Sequence, residues 1–136
     1  MTIPDSIMEQ IRKGAKEEWP DDKDMQTYTV KEEIESYRTF ENIDYSGISE
    51  IEKKQIIQNE KESFESWGIF ASSVEDEVKA LKEIKNLNYP DIESQVLNKW
   101  LSKAKKDNEY YYQGQIDYIT SNVKQYYEIQ ETRKEI

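Results

Sequence analysis

Asp21, Asp22 and Asp24 place three carboxylates within four positions, and hard divalent cations take such oxygens. Counting Asp22 as the first position of a calcium loop puts Asp24 third, Gln26 fifth and Glu33 twelfth. The sixth position, where the loop's sharp turn requires Gly, is Thr27. The same acids suit the start of a helix, where carboxylates accept from free N–H groups and favour the positive end of the dipole. Helix capping is the better fit, and no metal or other cofactor is expected. Glu60, Glu62 and Glu65 flank Phe64 and Trp67, so one of them could be buried enough to separate its pKa from its neighbours', as carboxylate-pair hydrolysis requires. A solvated helix face explains the three more simply.

The chain has no His and no Cys, which removes the commonest general base, the commonest metal ligand and a thiolate nucleophile. Di-metal carboxylate bundles of the Glu-x-x-His type are excluded with them. No Gly-rich phosphate loop or G-x-S-x-G elbow occurs. These features point away from an enzyme, and no catalytic residue is assigned.

Tyrosine is the residue type that needs a reason, with 10 in 136 residues. Tyr110, Tyr111 and Tyr112 are consecutive, so on a helix they span about 200° and cannot all face one core. If Tyr112 and Tyr126 join a core seam, Tyr111, Tyr118 and Tyr127 lie toward its flank. Tyrosine combines area with a polar handle, so these three form a candidate partner surface together with Asp21, Asp22 and Asp24.

Net charge is −10, from 19 basic and 29 acidic residues. That disfavours direct binding to nucleic acid or an anionic membrane, both themselves negative. Most of the excess lies in residues 1–48, which carry 12 acids and 6 bases. No run approaches the about 18 apolar residues of a membrane span, and the opening residues lack a signal peptide's charge order, so a cytoplasmic location is expected.

Apolar spacing predicts an all-α fold of five or six helices in antiparallel hairpins within a single domain, 1–136. Ile7, Ile11, Ala15 and Trp19 recur every four residues, predicting a helix over about 4–18. Met25, Val30, Ile34, Tyr37 and Phe40 carry a second helix to about 43. Ser49 with Glu52 forms a capping box for a helix over about 50–66, and Ser72 with Glu75 a second box, with Gly68 in the left-handed position between them. Pro90 restarts the chain, and Ile92, Val96, Trp100 and Ala104 repeat the four-residue stripe. Tyr112, Ile116, Ile119, Val123 and Tyr126 then form a heptad-like seam; whether 90–134 is one helix or two stays open. Trp19, Trp67 and Trp100, each ending an apolar face, are expected core anchors with Ile34, Tyr112, Ile116, Ile119 and Val123.

The hairpins 4–43, 49–87 and 90–134 suggest three repeated units. Their second helices align as 31–40, 75–84 and 113–122, each with Ile or Val fourth and Tyr, Leu or Ile seventh. Within the first unit, Trp19, Pro20, Asp22, Met25, Gln26, Tyr28, Glu33 and Tyr37 give 18–37 a pattern close to W-P-x-D-x-x-M-Q-x-Y. This segment resembles a stretch recurring in uncharacterised bacterial proteins. The resemblance implies a helical hairpin and no activity.

Charge and missing chemistry together suggest a non-enzymatic interaction or regulatory protein, of bacterial or phage type, that inhibits a partner with a basic surface. Alternatives are a structural homo-oligomer assembled through the C-terminal helix, and a weak metal- or ligand-dependent activity.

Overall fold

Sparse glycine and proline, and apolar residues spaced at three and four, leave the helix as the only element that can gather the apolar side chains on one face. The structure, a computed structural model, describes residues 2–136. Six helices follow in order: α1 Asp5–Glu18, α2 Lys23–Glu41, α3 Glu50–Lys61, α4 Trp67–Lys85, α5 Ser94–Asp107 and α6 Tyr112–Glu135. No strand occurs among the described residues, and none of their helices is long and apolar enough to cross a membrane. The helices group into two compact units. One holds the chain up to Asp44 and Glu60–Glu75; the other holds Tyr45–Asn59 and Asp76–Ile136.

In the first unit, α1 packs on α2 through Ile11 and Ala15. Tyr37 and Phe40 of α2 meet Phe64, Trp67 and Phe70 in an aromatic cluster. The Tyr37 ring stands edge-on to Trp67 at 4.8 Å, and Phe64 meets Trp67 at 5.1 Å. Such pairs add about 0.5–1.5 kcal/mol each beyond the area they bury. In the second unit, Ile119, 0% exposed, is the centre of a cluster with Ile92, Ala104 and Val123. Leu97, Trp100, Leu101, Tyr118 and Tyr126 close its edges.

Helix bounds reveal a repeat finer than the hairpins. α2, α4 and α6 open at residues 23, 67 and 112, steps of 44 and 45, and α1, α3 and α5 open at 5, 50 and 94. Equivalent core positions become Val30, Val74 and Ile119, then Ile34, Val78 and Val123, then Tyr37, Leu81 and Tyr126. The alignment of 31–40 with 75–84 keeps this register. Its third member is corrected from 113–122 to 120–129, one heptad later, because a heptad shift preserves the apolar face and the pattern cannot distinguish the two. α1 and α5 match closely: each has 14 residues, and Ala15 and Ala104 are both 1% exposed. Gln26 donates through Nε2 to the Trp19 carbonyl at 2.6 Å, and its equivalent Gln115 donates to the Asn108 carbonyl at 2.9 Å.

A single carboxylate is repeated with it. Glu33 accepts from the N–H groups of Trp67, 2.8 Å, and Gly68, 3.4 Å, at the start of α4. Glu77, 2% exposed, accepts from Tyr112 and Gln113 at 2.8 and 3.1 Å, at the start of α6. These first-turn donors have no partner within their own helix, so each second helix is capped by the acid at the equivalent position of the one before it.

This capping corrects several boundaries. α3 ends at Lys61 rather than near 66, where Ser63 and Phe64 close tight turns onto Glu60 and Lys61. α4 begins at Trp67, with Ser66 Oγ accepting from Ile69, so Ser72 and Glu75 lie inside the helix and are no capping box. Gly68 is helical rather than left-handed; Gly47 is the glycine with positive φ. The tryptophans do not share one role: Trp19 ends α1, Trp67 opens α4, and Trp100 sits within α5. The segment 90–134 is two helices, α5 and α6, the first starting at Ser94 rather than Pro90. The Ser49–Glu52 capping box is present, with each backbone N–H bonded to the other residue's side chain.

Burial alone would push the Glu52 carboxyl up, but the Lys85 ammonium and the Ser49 N–H and hydroxyl outweigh it and hold the group below its ordinary 4.5. Such a group adds stability that is present above 4.5 and is lost as pH falls through its lower folded value. For Glu60, burial pushes the carboxyl up, so its contribution is present below 4.5 and lost as pH rises through the folded value. Melting temperature against pH should therefore show less acid destabilisation in Glu52→Gln and a gain at neutral pH in Glu60→Gln. Glu77→Ala, which strips two charged hydrogen bonds in a buried setting, should cost about 3 kcal/mol in urea titration. Glu33→Ala, at a half-buried position, should cost about half as much; equal, negligible losses would mean the caps are incidental.

Candidate functional site

The α5–α6 turn is built by fixing a short stretch of backbone from several directions. The Asn108 N–H closes α5 onto the Ala104 carbonyl at 2.9 Å, and the Tyr111 N–H turns back to the Asn108 carbonyl at 3.0 Å. Asn59 Nδ2 of α3 donates to the Tyr110 carbonyl at 3.1 Å. Tyr111 is the N-cap of α6 but supplies no side-chain cap; Glu77 does that work for the next two residues. A Cβ on Gly114 would lie 2.5 Å from Asn108 Oδ1 and 2.6 Å from Tyr111 Cδ1. Glycine there lets the Tyr111 ring and the Asn108 amide lie against the first turn of α6.

Within this frame Tyr110 adopts φ 60, the left-handed region. For a bulky residue that conformation is an outlier costing about 1–2 kcal/mol, and Gly or Asn is its usual occupant. Yet Tyr110 and Tyr111 remain 46% and 51% exposed. The turn therefore holds two adjacent, partly exposed tyrosines on a backbone that is pinned and strained.

The expected tyrosine surface is only partly assembled. Tyr111 is exposed as anticipated. Tyr118 packs against the Ile119 cluster and belongs to the edge of the core rather than to a free flank. Tyr127 donates its hydroxyl to Asp91 at 2.9 Å, which with burial pushes its phenol pKa up, and it lies 16 residues beyond Tyr111, about 24 Å along a helix. Neither joins Tyr111. Tyr110, which does, was marked in the sequence only as one of three consecutive tyrosines, and nothing local signals its positive φ.

Asp22 caps α2, its Oδ1 accepting from the Met25 N–H at 3.0 Å, while Asp21 lies in the preceding turn and Asp24 in the first turn of α2. All three are exposed, and no group of three or more metal-ligating side chains converges among the described residues. Of the expected core, Trp67, Ile116, Ile119 and Val123 are buried. Trp19, Ile34, Trp100 and Tyr112 are corrected to half-buried positions; Trp19 follows the end of α1 and Tyr112 is the first residue of its helix. Burial, then the Glu52 and Glu77 carboxylates, push the Tyr112 phenol pKa up. The α6 seam is turned inward on α5, leaving Ile129 exposed on another face.

No family model, curated protein or solved structure matches the chain.

Relief of backbone strain gives the turn a measurable signature. Glycine at 110 recovers about 1–2 kcal/mol of left-handed strain and loses about 0.5–1 kcal/mol to unfolded-state entropy. Tyr110→Gly should hold or raise the unfolding free energy in urea titration, whereas Tyr111→Gly, at φ −115, should lower it by about 1 kcal/mol. A large loss at both positions would show that ring burial outweighs backbone strain.

Proposed function

We propose that this chain is a non-enzymatic protein-interaction module whose contact surface centres on Tyr110 and Tyr111. The observation that carries the reading is Tyr110 at φ 60 in a residue that stays 46% exposed. Strain held at a position where glycine would relieve it, on a backbone fixed by Asn59 and Glu77, is the pattern of a site shaped for contact rather than for stability. Tyrosine is among the residues that dominate binding energy, and a rigid turn spares the ordering entropy that a flexible loop would lose on binding. The most buried acid, Glu77, is committed to holding α6.

Capture from lysate of the source organism tests the reading, with the full chain immobilised beside its Tyr110→Gly/Tyr111→Ala variant. Proteins retained by the parent should fall about tenfold or more on the variant, as loss of anchor side chains produces. Circular dichroism should show both folded alike. The same proteins retained in equal amounts would remove the tyrosine turn as the contact surface.

A further inference from the structure

Two of the second helices carry a face on which the next second helix starts. On α2 this face is Glu33, Ser36 and Phe40. Glu33 caps Trp67 and Gly68, a Cβ on Gly68 would lie 3.5 Å from Ser36 Oγ, and the Phe40 ring lies 5.7 Å from Trp67 and 4.9 Å from Phe70. The equivalent residues of α4 are Glu77, Ala80 and Ile84; Glu77 caps Tyr112 and Gln113, and Ala80 is buried. On α6 the same positions are Asn122, Gln125 and Ile129. No helix start covers them among the described residues: Gln125 is exposed, and Ile129 is 47% exposed where Phe40 and Ile84 are half-buried. A shallow groove lined by Tyr118, Asn122 and Gln125 runs along this face.

The other half of the contact is uncovered at the start of α2. Lys23 and Asp24 are the equivalents of the capped pairs Trp67 with Gly68 and Tyr112 with Gln113. Their N–H groups have no acceptor among the described residues. One turn on, Thr27 is exposed where Ala71 and Ile116 are buried. Val30 is half-buried where Val74 and Ile119 are 0% exposed, and with Ala15, Gln26 and Thr27 it lines a groove between α1 and α2. Repeat arrays that stop stacking close their ends with polar faces. Val30 and Ile129 keep both of these faces partly apolar.

We infer that the outer face of α6 is a docking surface for the α2 start of a second copy of this chain, joined head to tail. The chain shows twice what covers such a face, and the start of α2 is the second-helix start left over. Asn122 suits that occupant better than the acid found at 33 and 77. Asp21, Asp22 and Asp24 flank the incoming start, so a carboxylate at 122 would repel them, whereas an amide is neutral and keeps an acceptor. Its Nδ2 donates to the Tyr118 carbonyl at 2.7 Å, which leaves Oδ1 for the Lys23 or Asp24 N–H. Charge favours the same orientation. Head-to-tail docking sets residues 1–48, with 12 acids and 6 bases, against 90–136, with 8 and 7, and avoids pairing like with like. The contact is heterologous, so each added copy offers a fresh face. It uses neither the tyrosine turn nor the Ile119 seam.

The test is sedimentation equilibrium of the full chain at about 0.15 M salt, where repulsion between copies of charge −10 is screened beyond about 8 Å. Average mass should climb past that of a dimer between about 10 µM and about 1 mM. Thr27→Arg blocks the α2 side and Ile129→Arg the α6 side, both at exposed positions. Each alone should weaken association about tenfold or more with circular dichroism unchanged. Mixed in equal amounts, the two variants should form a dimer that grows no further, because each keeps the half that the other lacks. In the parent, the Lys23 and Asp24 amides exchange fast when dilute and should slow about tenfold at ten times the dissociation constant. In Ile129→Arg they should stay fast. A chain that is monomeric up to about 1 mM, association that survives both variants, or a mixture that stays monomeric would overturn the inference. Association lost in Ile129→Arg but kept in Thr27→Arg would show α6 pairing with its own copy and overturn the head-to-tail assignment. The Tyr110→Gly/Tyr111→Ala variant should associate as the parent does, so failure of the tyrosine surface and failure of this one are read separately.

Discussion

One carboxylate per step holds the second helices: Glu33 on the start of α4 and Glu77 on the start of α6. A helix leaves its first N–H groups without internal partners, and a buried start must find acceptors or lose stability. Here the acceptor comes from the equivalent position of the preceding second helix, 34 to 36 residues away in the chain. An ionised carboxylate satisfies two donors at once and sits at the positive end of the dipole. The starts of α4 and α6 thereby depend on tertiary contact as well as on local sequence.

The same contact frees the residues beside it. With Glu77 capping α6, its N-cap need not be Ser, Thr, Asp or Asn, and the position is Tyr111. Tyr110 before it breaks a second local rule by standing in the left-handed region. Two breaches of local preference in adjacent residues, both partly exposed, coincide with a stretch of turn held from outside by Asn59 and Glu77. In the first unit, Gly14 is a third such breach, a helix-interior glycine that its surroundings do not need. These are the positions where this chain gives up local consistency.

Much of the architecture was legible in the residues. The four-residue stripes of Ile7 to Trp19 and Ile92 to Ala104, the cap at Asp22 and the box at Ser49 and Glu52 are local signals, and α1, α2, the start of α3 and α5 follow from them. The start of α4 was not legible, because half of its cap is Glu33, outside any window in which a capping motif is read. Ser72 and Glu75 have the right spacing yet lie mid-helix, since the pattern is indifferent to whether the donors there are already paired. The repeat was visible as an apolar face, and its third register slipped by a heptad because that face alone carries no marker. The marker is the acid at 33 and 77, which has become Asn122 in the third unit. Of the candidate surface, Tyr111 is exposed as three consecutive tyrosines on a helix had suggested, but for another reason: α6 starts only at Tyr112, and Tyr111 is its extended N-cap. Tyr110 could not be read, because its φ is fixed by Asn59 and Glu77 from distant segments.

Amide hydrogen exchange on the unaltered chain tests the central claim most directly, because first-turn amides ordinarily exchange fast. If Glu33 and Glu77 hold the helix starts, the amides of Trp67, Gly68, Tyr112 and Gln113 will exchange about as slowly as amides in the helix interiors. Lys23 and Asp24, in the first turn of α2, receive no carboxylate from another helix and provide the fast internal reference. Exchange of the four capped amides at the rate of Lys23 and Asp24 would contradict the account.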